Sequence, residues 1–199
     1  IGLKNLKNKI DLKSYPSIEA QIASISDDIA YNNHDIQDGF NANIFRINEL
    51  KEINFFNEIL KRYSSKFKKT NNRILIYQMV RDSINLMVKD LIKNSLINFK
   101  LNKINKLNDV YKSENKLVCF SSNYENIINE IRDFLSFKMY KNNKVLKKNN
   151  EGRRIIEKLF KVISSKPRKF LTFSTNKHNK YRSIADYISG MTDRFAINI

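Results

Sequence analysis

Apolar residues recur at helical spacing through most of this 199-residue chain. Ile18, Ile22, Ile25, Ile29 and Ile36 fall on one narrow stripe when residues advance by about 100° each. They predict an amphipathic helix over 18–38, with Ser17 as N-cap and Gly39 as the residue that stops it. EINFFNEILKRY (52–63) carries Ile53, Phe56, Ile59 and Leu60 on one side. Asn71 or Thr70 can cap the next and longest helix, with Val80, Ile84, Met87, Val88 and Leu91 as its core face and its end near Leu96 or Asn98. Residues 99–116 read as a loop and Leu117–Phe120 as a short extended apolar run. Ser122 and Glu125 form a capping-box pattern opening a helix with Ile128, Ile131, Leu135 and Met139. KNNKVLKKNN (141–150) reads as polar loop. A helix over 151–165 carries Ile155, Ile156, Leu159, Phe160 and Ile163, and Pro167 ends it. A final helix runs from Lys180 to Ala196 through Ile184, Ile188, Met191 and Phe195. No strand alternation, glycine-rich phosphate loop or repeat interrupts this pattern. The expectation is an all-α chain of five or six helices.

Composition narrows the class. Hydrophobic content of 41% is too high for a disordered chain, and no apolar run is long enough to span a bilayer. The N-terminus is basic without the apolar core of a secretory signal, and begins with Ile rather than Met, as a processed or cut-out piece would. The lone Cys119 excludes an internal disulfide framework and fits a reducing, cytoplasmic location. It sits in LVCF, as an inert buried thiol would. The net charge of +17 and pI near 9.9 draw polyanions such as single-stranded nucleic acid. The wealth of Lys, Asn, Ile, Phe and Tyr also follows from AT-rich codons, so part of that charge reflects drift.

The first helix carries a second pattern. Asp27, Tyr31 and Asp35 stand at i, i+4 and i+8, on a line roughly opposite the isoleucines. Asp27 and Asp35 are about 12 Å apart along the axis, about the reach of a nucleotide from phosphate to sugar. A solvated face is the ordinary reading of acids opposite an apolar stripe. Against it, no lysine lies between Lys13 and Lys51 in a chain otherwise full of them.

PSIEAQIASISDDIAYNNHDIQDGF resembles the PSLEAQVADIADDIAYxxHDIDDG segment of bacterial deoxyguanosinetriphosphate triphosphohydrolases. YRSIADYISGMTDRFAI is similar to that family's RxxADYIAGMTDRFA, and NNRILIYQMVRDSI to a stretch around MVxDVI. In order, these cover most of residues 15–197. The resemblance implies the C-terminal half of an enzyme of the HD-domain superfamily, which cleaves a deoxynucleoside triphosphate to deoxynucleoside and tripolyphosphate. The fold implied is an HD-domain-type helical bundle fragment with a C-terminal helical extension. Residues 1–40 would then end the catalytic core, and 41–199 would form the C-terminal helical region.

By the same resemblance Asp27 is the final ligand of a divalent metal, Mg2+ or Mn2+. Tyr31 packs on the deoxyribose, and Asp35 bonds the sugar 3′-hydroxyl. Arg182 and Arg194 are candidates for the triphosphate, with Arg182 the stronger; Asp186 and Asp193 stand ready to pair with them. Asp28 faces solvent or supports its neighbour, and His34 is a polar helix residue. The family's other metal ligands, one histidine and a His-Asp pair, lie upstream of the matched segment. The two histidines present, His34 and His178, are not in that context. One ligand alone holds no catalytic ion. The chain is therefore expected to be inactive by itself, its other half being a separate chain, left out, or lost in a decayed gene. Expected partners are a dNTP, the missing N-terminal half or further copies in a homo-oligomer, and no membrane. The alternative is a basic α-helical nucleic-acid-binding or oligomerisation module without catalysis, resting on the basic stretches Lys61–Lys69 and Lys166–Lys169.

Overall fold

A computed structural model describes residues 14–64, 71–171 and 180–199. All regular structure among these is helical: α1 (Ile18–Asn41), α2 (Ile47–Leu50), α3 (Asn54–Ser64), α4 (Asn72–Leu101), α5 (Leu107–Tyr111), α6 (Ser122–Leu135), α7 (Asn143–Ser165), α8 (Pro167–Phe170), α9 (Lys180–Ser189) and α10 (Asp193–Asn198). A π-helical turn, Ser136–Tyr140, continues α6. The all-α expectation holds; helices are more numerous than periodicity predicts, and α1, α4 and α7 are longer than their expected spans. The chain divides into two compact units, Ile1–Met139 and Tyr140–Ile199.

The first unit is built on α4, with α1 and α3 against it and α6 against α1. Ser17 caps α1 as expected, its hydroxyl accepting from the Ala20 amide at 3.4 Å. Ile25, Ile29 and Ile36 are buried. Ile22, predicted to join them, is exposed, and the polar Gln21, Asn32 and Asn33 are buried in its stead. The apolar stripe is thus shorter than its spacing implies, because the helix seals a polar junction at its start. Gly39 does not stop the helix: its φ is not positive, and α1 runs on to Asn41. The glycine is buried inside the last turns because the ring of Phe45 lies where a Cβ would sit. That ring packs edge-on against Phe134 at 5.0 Å between centroids.

Asn71 caps α4, its side chain accepting from the Arg73 amide at 2.9 Å; Thr70 lies outside the described residues. The buried face of α4 is Ile76, Met79, Val80, Ser83, Met87, Leu91 and Ser95. Val88, expected in the core, is turned outward, and Ile84 is half-buried. The expected loop after α4 contains the short helix α5, where Asp109 accepts from the amides of Asn105 and Lys106. In Leu117–Phe120 every residue but Cys119 is buried, and the run forms no strand. The residue preceding α6 is Ser121, not Ser122, and its cap comes from outside. Asp90 of α4 accepts from both the Ser121 amide (2.9 Å) and its hydroxyl (2.8 Å).

In the second unit α7 contacts α8, α9 and α10 around Leu159, Ile163 and Ile184. Residues 143–150, expected as loop, form the first two turns of α7, with Asn142 capping the Lys144 amide at 3.0 Å. The helix propensity of Lys and Leu, with the Asn142 cap, outweighs the low hydrophobicity there. Ile156, placed on the apolar face by period, is exposed. Pro167 ends α7 but starts α8, where a first-turn proline needs no amide partner. The predicted final helix is two, α9 and α10. Thr192 opens the second, its hydroxyl accepting from the Phe195 amide at 3.3 Å.

Candidate functional site

α1 presents Asp27, Tyr31 and Asp35 along one line. Asp27 is exposed, Tyr31 is 58% exposed, and Asp35 is half-buried and engaged. The graded burial follows from helix geometry. Each four-residue step rotates the line by about 40°, carrying it from the solvent side toward the margin of the packed face. Asp28, one position on, points elsewhere: its carboxylate pairs with Arg132 of α6 at 3.2 Å. Adjacent acids thus have separate surroundings, one tied to the protein and one directed to solvent. His34 is exposed on the outer side.

A divalent ion needs several hard oxygen or nitrogen donors converging on one point. Among the described residues no three of His, Cys, Asp and Glu gather that way. Asp27 offers one carboxylate, and the described residues do not by themselves fit a bound metal.

Arg182 belongs to the second unit. It lies on α9, and its Nε donates to both carboxylate oxygens of Asp186, at 2.9 and 3.0 Å. The side chain is 72% exposed. Arg194, on α10, is exposed as well. His178 and most of the Lys61–Lys69 stretch lie outside the described residues. No described helix is long and apolar enough to cross a membrane.

A separate concavity of about 570 Å³ opens where α3, α4 and α6 meet, lined by Phe55, Glu58, Arg62, Leu86, Tyr124 and Glu130 among others. Burial, and then the charge of Asp90, raises the Tyr124 phenol above its usual value. On α3, the Tyr63 hydroxyl donates to Asp82 of α4 at 2.7 Å, and that bond raises the Tyr63 phenol too. Of the residues singled out from sequence, the core residue Ile59 and Arg62 of the basic stretch line this concavity, and Asp27, Tyr31, Asp35 and Arg182 do not.

Beside the buried isoleucines, polar side chains hold α1 and the Leu117–Phe120 segment in place, and their spacing does not announce it. The Asn33 amide donates to the Ile29 carbonyl at 2.8 Å and to the Met87 sulfur at 3.5 Å. Gln21 reaches the Leu117–Phe120 segment, and Asn94 and Asn98 of α4 reach the same segment. Asn94 donates to the carbonyls of Cys119 and Phe120, both at 3.0 Å, and Asn98 to the Leu117 carbonyl at 3.1 Å. The one available signal is a pair of asparagines at i, i+4 inside a long helix, where they have little intrinsic reason to stand.

Residues 118–199 match the family model of the phosphohydrolase-associated domain. A deoxyguanosinetriphosphate triphosphohydrolase-like protein of Pelagibacter ubique (strain HTCC1062) is 57% identical over 199 residues, covering 100% of this chain and 54% of that protein. Relatives of the same description from Rickettsia typhi (strain ATCC VR-144 / Wilmington) and Rickettsia prowazekii (strain Madrid E) are 37% and 35% identical, each over 97% of this chain and 52% of their own length. The chain spans about half the length of the curated relatives it matches.

Proposed function

We propose that this chain, homologous along its whole length to about half of the deoxyguanosinetriphosphate triphosphohydrolase-like proteins, is the C-terminal half of a metal-dependent dNTP triphosphohydrolase. The reaction is hydrolysis of dGTP or another dNTP to deoxynucleoside and tripolyphosphate. Residues 1–40 end the catalytic core and 41–199 form its helical extension. One observation carries the reading. In the segment most like the family, Asp27 and Tyr31 stand open on the face of α1 away from the core, while the neighbouring Asp28 is taken by Arg132.

On this reading Asp27 gives one carboxylate to a divalent ion, Mg2+ or Mn2+, whose other ligands come from outside the chain. The Tyr31 ring forms an apolar wall against the deoxyribose, where a 2′-hydroxyl would crowd. Asp35, one step nearer the packed face, is held firmly enough to accept from the 3′-hydroxyl. Arg182 offers a cation to the triphosphate oxygens, on which charge develops. The 199 residues alone are inactive.

The complete protein, made by joining the unmatched part of the Pelagibacter ubique relative to this chain, tests the reading. It should release tripolyphosphate in a metal-dependent way, and Asp27→Ala should abolish release. Asp28→Asn, which loses only the exposed pair with Arg132, should keep it. Full activity in Asp27→Ala, or activity in the 199-residue chain alone, overturns the assignment.

A second reading has its own observation. Residues 140–199 hold fifteen Lys and Arg against four Asp and Glu. On α7, Lys147, Arg154, Lys158 and Lys161 all face away from buried Ile163, and all are exposed. Their spacing draws a basic stripe about 21 Å long, matched to a single-stranded nucleic-acid backbone. Binding of an oligonucleotide with a steep salt slope, flattened by reversing these charges, is its test.

A further inference from the structure

α4 has two apolar faces, and only one of them is packed. The buried face is centred on Met87. About 100° to 180° around the helix lies a second row. In it Val88, Ile92 and Leu96 are 38%, 55% and 53% exposed, and Phe99 is half-buried. Toward the start of the helix Arg81 interrupts the row, and the exposed Ile74 and Tyr77 lie beyond it. Between Ile84 and Phe99 the row itself holds no charged residue over about 20 Å, with Lys89 at its edge. The chain has 37 Lys and Arg in 199 residues, so a charge-free row of exposed β-branched and aliphatic side chains is not its ordinary surface.

We infer that the Val88–Ile92–Leu96 face of α4 is the seat for the portion of the full-length relatives that this chain does not contain. This rests on the reading of the chain as one half of a larger enzyme. Two observations favour that occupant. The Pelagibacter ubique relative matches all of this chain with 54% of its length, which leaves nearly as much protein to be placed against it. The ligands that Asp27 lacks must also reach α1, and α1 packs directly on α4 in the same unit. A body that reaches α1 thus approaches the unit whose longest helix carries this row. Burying the row would remove about four large side chains from water, supplying an apolar centre for such an interface.

Thiol labelling reads this without reference to catalysis. In a Cys119→Ser background, Ile92→Cys or, independently, Leu96→Cys is placed in the 199-residue chain and in the complete protein. Lys147→Cys on α7 serves as control. The expected result is rapid maleimide labelling at 92 and 96 in the chain alone, and labelling at least a hundredfold slower in the complete protein. The control should label alike in both. Equal labelling at 92 and 96 in the two proteins overturns the inference. Slow labelling in the chain alone also overturns it: if dilution restores the rate the occupant is a second copy, and if not the chain covers itself. Protection in a complete protein that hydrolyses no dNTP would overturn the proposed function and leave the docking face standing.

Discussion

Gln21 accepts the backbone amide of Val118 at 3.2 Å, across 97 positions of sequence. The same oxygen accepts the Leu117 amide at 3.3 Å, and the Gln21 amide donates to the Pro16 carbonyl at 2.9 Å. One buried side chain thus joins the lead-in to α1, the start of α1 and the segment before α6. On its other side that segment is held by Asn94 and Asn98 of α4. A segment with no strand partner has its amides and carbonyls satisfied by side chains from two helices, which buried backbone requires.

Gln21→Ala should therefore cost about 2–3 kcal/mol, because two buried amides lose their acceptor at once. Urea unfolding should show a lower midpoint with an unchanged slope. A loss below about 0.5 kcal/mol would mean that water replaces the side chain.

Gly39→Ala tests why a glycine stands inside α1. Replacing a mid-helix glycine ordinarily gains up to about 1 kcal/mol. Here the added methyl meets the Phe45 ring, and overpacking of that kind costs about 1–3 kcal/mol. The net expectation is a destabilisation of about 1 kcal/mol. In a Phe45→Leu background the sign should reverse, a coupling that a double-mutant cycle measures directly.

Gly39 also marks the limit of what the chain discloses by itself. Glycine after an apolar run reads as a stop, but its reason here is a ring six positions on, visible only once the chain is folded. The stripe of Ile25, Ile29 and Ile36 was legible because a helix buries its own period. So was the line of Asp27, Tyr31 and Asp35, since three residues on one helix need no tertiary information. Gln21, Asn33 and Asn94 were not legible, because a buried amide is explained only by the distant backbone it satisfies. Val88 failed for the opposite reason. Its period fits the helix equally well facing in or out, and α4 carries apolar residues on both sides.

Tyr63 gives a pH dependence of known sign. Its phenol is raised above 10.0, first by the hydrogen bond to Asp82 and then by burial. The folded state holds this proton more tightly than the unfolded chain. Its contribution is therefore full below about pH 10 and is lost as pH climbs through the raised value. Tyr63→Phe should lower stability at neutral pH by about 1 kcal/mol and flatten the alkaline fall attributable to this group. Thermal unfolding midpoints of both proteins between pH 8 and about pH 11 decide it; parallel curves would count against the Tyr63–Asp82 bond.

Arg182 separates a helix-surface role from a substrate role. Its guanidinium already has a partner in Asp186, one helical turn on, with both side chains mostly exposed. Exposed pairs of this kind add little stability, and the order Arg before Asp along the helix is the less favourable one. Arg182→Ala should thus leave the unfolding midpoint of the 199-residue chain unchanged. If the arginine meets the triphosphate, the same change in the complete protein should lower kcat/KM at least tenfold, about 1.4 kcal/mol of transition-state binding. Asp186→Asn, which frees the guanidinium without removing it, should leave kcat/KM the same or higher. Unchanged kcat/KM in Arg182→Ala would return the residue to the helix surface. A fall in both variants would mean that the pair acts as a unit, with Asp186 orienting the guanidinium toward the site.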